Sequence, residues 1–166
     1  MRDRFDPNVT SEHEISRVTG YSPRPRNGIF DSVIFLCPDP RFAQETLDIF
    51  KEDYGFENPL VLPRAGGAGL LHQDCLGWDW ERKQLAFHLH EVAKSNRLGL
   101  AIHKGCLWYM LSGFIELPLG FELMESAQKK HLYELGRYFH GQALNATAIF
   151  PHKNANGKTE AFHIFP

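Results

Sequence analysis

No run of apolar residues in this chain approaches the roughly 20 needed to span a bilayer, so a membrane protein is not expected. Basic clusters are missing too. Lys and Arg number 18 against 20 Asp and Glu, a formal net charge of -2, which argues against a nucleic-acid footprint. The amino terminus, MRDRFDPNVTSEHE, has no apolar core, so no secretory leader is expected and the cytoplasm is the default location. No internal repeat or low-complexity stretch is present, which excludes solenoid-like architectures. Cysteine is scarce, with Cys37, Cys75 and Cys106 making an odd set of three. In a reducing compartment such a set points to burial or metal binding rather than to disulfides.

What is present fits one globular domain. A chain of 166 residues buries about two-thirds of its unfolded surface. Residues 1–29 are polar and proline-rich, with the turn pair Asn27-Gly28 and a short helical start near Thr10-Ser11-Glu12. They read as an arm preceding an α/β domain at 30–166. Val33-Ile34-Phe35-Leu36 is a continuous apolar run that stops on Cys37-Pro38-Asp39-Pro40-Arg41, the pattern of a strand buried on both faces. A helix follows from Ala43 to Tyr54, with Leu47, Phe50 and Tyr54 at helical spacing and Gly55 as its stop. Pro59 to Pro63 is a second strand, and the glycine-rich Arg64 to Gly69 permits tight turns and close backbone approach.

Trp80 to Asn96 reads as an amphipathic helix with Leu85, Ala86, Leu89, Val92 and Ala93 inward. His88 and His90 are expected at the surface. Leu98 to Ile102 is a third strand, ending in His103-Lys104-Gly105-Cys106. Pro118-Leu119-Gly120 precedes a long helix, Phe121 to Phe139, with Met124, Ala127, His131, Leu135 and Tyr138 on one stripe and His131 as a core residue. Ala146 to Phe150 and Glu160 to Phe165 form a closing hairpin around Asn154-Ala155-Asn156-Gly157. Alternating strands and helices imply a mostly parallel sheet flanked by helices, with an antiparallel edge strand.

Cys37 and the pair His103/Cys106 each follow a core strand. If those strands are parallel neighbours, two thiolates and an imidazole meet at the carboxyl edge, where open α/β sheets place ligands. That donor set suits zinc and leaves one tetrahedral position for water. A second His-x-x-Cys, His72 to Cys75, lies in a flexible loop and is the weaker candidate.

The ordered set Cys37-x-Asp39-x-Arg41, Ala65-Gly66-Gly67 and His103-x-x-Cys106 resembles the β-class carbonic anhydrases, loosely over residues 30–166. The resemblance implies a zinc ion (Zn2+) on Cys37, His103 and Cys106, with Asp39 and Arg41 as the catalytic dyad. The implied activity is reversible hydration of carbon dioxide to bicarbonate by a metal-bound hydroxide, in a homodimer or higher homo-oligomer. Asp39 orients the nucleophile, and Arg41 keeps Asp39 ionised and off the metal. His72 is the candidate proton shuttle.

The pattern departs from the family at Pro40 in place of Ser, at Leu107 in place of Gly, and at Pro63-Arg64 before the Ala-Gly loop. Pro40 removes an N–H donor and stiffens the corner. Leu107, Trp108 and Tyr109 add bulk beside the pocket. These departures keep two alternatives open. One is a non-catalytic zinc protein whose site is closed by Cys75, His72 or Asp39. The other is a hydrolase of a small linear substrate such as carbonyl sulfide or carbon disulfide.

Overall fold

The computed structural model describes residues 30–111 and 121–165, of which 110–111 and 121–123 by backbone only. The expected amino-terminal arm and the Pro118-Leu119-Gly120 break lie outside the described residues.

Five strands form one sheet in the order β2-β1-β3-β4-β5. They are β1 (Ser32–Leu36), β2 (Pro59–Pro63), β3 (Arg97–Ala101), β4 (Asn145–Lys153) and β5 (Thr159–Phe165). The first four run parallel, and β5 pairs antiparallel with β4. All five residues of β1 are buried, as its uninterrupted apolar run requires of a strand covered on both faces.

Each face has its own core. Val33, Phe35, Leu60 and Leu62 pack on one side with Leu85, Leu89, Leu132 and Leu135. Ile34, Leu36, Phe50 and Phe56 pack on the other. The first side is covered by helices α2 (Trp78–Phe87) and α4 (Phe121–Gly141), the second by α1 (Ala43–Tyr54). Gly99 on β3 lets α1 approach: a Cβ there would lie 2.9 Å from the Phe50 ring. Gly55 ends α1 in the left-handed conformation (φ 66°), its N–H bonded to the carbonyls of Phe50 and Lys51.

Two helix faces differ from the sequence reading. The helix starting at Trp78 is α-helical only to Phe87 and continues as a π-helical turn, His88–Ala93, ending at Lys94 with φ 52°. A π turn takes an extra residue and rotates the buried face. His88, expected at the surface, is fully buried with Nδ1 donating to the Gln84 carbonyl at 2.6 Å, while Ala86, expected inside, is exposed. On α4 the buried stripe is also displaced from the expected one: Phe139 is buried and Tyr138 is 43% exposed.

The connection between β1 and β2 runs to one side of the sheet, and the chain then returns to place β3 on the other side of β1. Such a reversal opens a crevice outside the carboxyl ends of the two central strands. Both candidate ligand segments leave the sheet there. Among the described residues, no helix is long and apolar enough to cross a membrane.

Candidate metal centre

Cys37 directly follows β1, and His103 and Cys106 follow β3. The two strands are parallel neighbours, with Phe35 opposite Leu100. The ligand atoms of Cys37, His103 and Cys106 lie within 4.8 Å of one another and can hold a metal ion. The two sulfurs are 4.0 Å apart. Two thiolates on a tetrahedral ion with bonds of about 2.3 Å stand roughly 3.8 Å apart, so the spacing fits zinc without rearrangement. His103 is buried (3% exposed), and among the described residues its Nε2 has no hydrogen-bond partner. A buried nitrogen left unpaired is costly, and a cation beside two thiols is the partner that repays it.

The surroundings orient this group. His103 Nδ1 donates to the Lys104 carbonyl at 3.1 Å, which places the ring's lone pair on Nε2. The Phe42 ring stacks on the imidazole at 4.6 Å and 17°. The Lys104 N–H is tied to the Pro151 carbonyl at the end of β4 (2.9 Å), anchoring the His103 loop to the sheet. In the metal-free protein, a hydrogen bond from the Cys106 thiol holds Cys37 well below the ordinary thiol range, with the N–H groups of Gly66 and Asp39 acting in the same direction against the effect of burial. The same bond, with burial, pushes Cys106 up.

The glycine-rich loop is shaped for this site. Gly66 (φ 95°) sits in a turn closed by the Gly67 N–H on the Arg64 carbonyl at 2.8 Å. Gly67 (φ 56°) packs so closely that a Cβ would lie 2.3 Å from the Ala101 carbonyl oxygen and 2.9 Å from the Cys37 nitrogen. The bulk at Leu107, Trp108 and Tyr109 has a complementary answer. These residues open α3 (Leu107–Leu111), where Leu107 is 60% exposed while Trp108 covers Gly66 and Tyr109 covers Gly69.

Asp39 and Arg41 form a local fork. Pro40 occupies the second position of a turn in which the Asp39 carbonyl accepts from the N–H groups of Phe42 (3.0 Å) and Ala43 (2.9 Å). The Asp39 carboxylate accepts from the Arg41 backbone N–H at 3.0 Å, from Nε at 3.0 Å and from Nη2 at 2.6 Å. The guanidinium holds Asp39 down at about 2. Its Oδ2 stands 3.6 Å from His103 Nε2, beside the donor group but not within it.

Cys75 and His72 also stand apart from that group. Burial raises the Cys75 thiol to about 11, and its sulfur faces the Leu76 carbonyl at 3.6 Å. His72 bonds to Glu134 at 2.8 Å and stacks on His131, within a separate set of donors that includes Asp74. The sequence reading missed Phe42, whose aromatic ring after a turn gives no sign that it meets a histidine sixty residues on. Neither a protein-family model nor a curated protein sequence matches the chain.

Proposed function

We propose that the protein is a zinc-dependent carbonic anhydrase of the β-class type, catalysing CO2 + H2O ⇌ HCO3− + H+. The observation that carries this reading is the convergence of Cys37, His103 and Cys106 at the β1/β3 edge with the Asp39–Arg41 fork alongside. Cys37, His103 and Cys106 would hold the ion. When bound, zinc supplies a water acidified to a pKa of about 7, hence a nucleophile at neutral pH.

The residues around it have distinct parts. Asp39 stays ionised and accepts a hydrogen bond from the attacking oxygen, aiming its lone pair at the carbon. Arg41 keeps that carboxylate from swinging toward the cation, since release would break a bidentate pair. The separation of Cys75 and His72 from the donor group, and the outward direction of Leu107, support an open position rather than a closed site. His72 does not serve as the shuttle in this reading, because its ring is engaged with Glu134 and His131. A cytoplasmic homo-oligomer belongs to the same proposal.

The test is stopped-flow carbon dioxide hydration on zinc-loaded protein. A rate well above buffer is expected, falling about 10²-fold or more in Asp39→Ala with zinc content unchanged. A zinc-loaded protein that hydrates carbon dioxide no faster than buffer overturns the reading. An Asp39→Ala variant as fast as the parent removes the dyad from the mechanism.

A further inference from the structure

We propose that His72, Asp74 and His131 form a second site for a borderline divalent ion such as Zn2+, Co2+ or Ni2+, independent of the cysteine centre. His72 follows the short 3-10 turn Gly67–Leu71, and its N–H bonds to the Gly69 carbonyl at 3.1 Å. Its ring lies face to face with that of His131 on α4, centroids 3.9 Å apart and planes 9° apart. Both imidazoles are buried, whereas Asp74 is exposed at their edge. One donor atom from each of the three falls within 4.8 Å of the others.

At His72 the hydrogen bonding sets the tautomer that metal binding needs. Glu134 accepts from His72 Nε2 at 2.8 Å, while His72 Nδ1 accepts from the Asp74 N–H at 3.3 Å. The His72 lone pair therefore sits on Nδ1, 3.5 Å from Asp74 Oδ2. His131 Nδ1 bonds to the Tyr109 hydroxyl, and its Nε2 lies 3.8 Å from the same carboxylate oxygen. A carboxylate or other oxygen behind the far nitrogen is the outer support that ligating histidines use. Two imidazoles and one carboxylate favour a borderline ion over calcium or magnesium, which take oxygen donors. The nearby Lys130 charge is opposed by Glu134, 3.7 Å away.

Stacked rings point their lone pairs side by side. An ion held by both must sit at the Asp74 edge and fan the rings apart there, giving up the stack and the long Asp74 N–H bond. Binding is consequently weaker than at the cysteine centre. Solvent completes the shell on the exposed side of Asp74. The bound ion would clip the loop after the 3-10 turn onto α4.

The experiment is equilibrium dialysis and optical titration of the reduced full chain with Co2+, repeated with Zn2+. The parent is expected to take two ions. The first gives the thiolate-to-cobalt charge-transfer band, and the second adds weak d–d absorption only. Asp74→Ala, a change on an exposed loop, should weaken the second ion at least about 10-fold and leave the thiolate band intact. His72→Gln should do the same, and Cys37→Ser should lose the band while keeping the second ion. Uptake of a single ion by the parent overturns the proposal. So does a second ion whose affinity is unchanged in both Asp74→Ala and His72→Gln. The cysteine centre reports through its own band, so either site can fail without the other.

Discussion

Among the described residues two sets of ligand-type side chains stand out, and they differ in how complete their own bonding is. At the β1/β3 edge, the buried His103 Nε2 has no hydrogen-bond partner among the described residues and the two sulfurs face each other at 4.0 Å. Between the 3-10 turn and α4, each imidazole already has an oxygen partner, and the two rings stack. The first set is assembled but electrostatically unfinished; the second is satisfied as it stands. Affinity for a cation should follow that difference, because only the second must surrender existing contacts.

The largest effect expected from this contrast comes from removing one sulfur. Cys106→Ser should weaken metal binding by at least about 10³-fold, more than the 10–100-fold typical of losing an outer partner. Metal analysis after dialysis against a chelator of known affinity measures it. Retention of a full equivalent that still shows a thiolate band with both Cys37→Ser and Cys106→Ser present would move the centre to Cys75 and erase the contrast.

Next in size is the backbone that supports the unfinished site. Gly67→Ala meets both a left-handed φ of 56° and carbonyl oxygen at 2.3 Å, with backbone on both sides that cannot yield cheaply. A loss of about 3 kcal/mol in urea unfolding is expected from strain and overpacking together. Gly77→Ala is the control. Its φ is 85°, yet nothing lies within 4 Å of the new Cβ, so only the conformational cost of about 1 kcal/mol remains. Equal losses in the two variants would mean that the close seating of the loop on Cys37 contributes nothing.

How much of this was legible in the sequence depended on local signals. Short apolar runs located β1 to β4 and the turn at Asn154-Ala155-Asn156-Gly157 pointed to the closing β4–β5 pair, all five strands found among the described residues. The pairing of β1 with β3 was only a condition there, since register between distant strands leaves no local mark. His88 was misread because the buried face carries polar residues: Gln84 and His88 share it with Leu85, Phe87 and Leu89, so an apolar stripe alone does not mark it. His72 was assigned to the pocket border by its place in the loop. The 3-10 turn instead carries it to α4, where Glu134 and His131 hold it.

Phe42 sharpens the contrast at smaller scale. Its ring fixes the plane of His103 without touching the ligand atoms' chemistry. Phe42→Leu keeps an apolar side chain and removes the stack, so metal affinity at the cysteine centre should fall about 10-fold, within the range for an orienting neighbour. Competition against a chromophoric chelator measures this, and the second ion's affinity should not move. An equal fall at both sites would indicate general loosening of the fold instead.

A pH effect further separates the satisfied set from the unfinished one, in metal-free protein. Burial, with the His72 ring pressed against it, lowers His131 from 6.5 to about 4. The groups facing it are His72 and Asp74 from the loop, Tyr109 from α3, and Lys130 and Glu134 from α4 itself. Asp74 and Glu134 favour its charged form, but less strongly than burial opposes it. Between those two values the unfolded chain binds a proton that the folded ring refuses, so stability must fall as pH drops from 6.5 toward 4 and level off below. The contribution is fully present above pH 6.5. Urea midpoints across that interval should decline in the parent and decline less in His131→Gln, whose side chain does not titrate. Parallel slopes in the two proteins would mean that the stacked pair is not what refuses the proton.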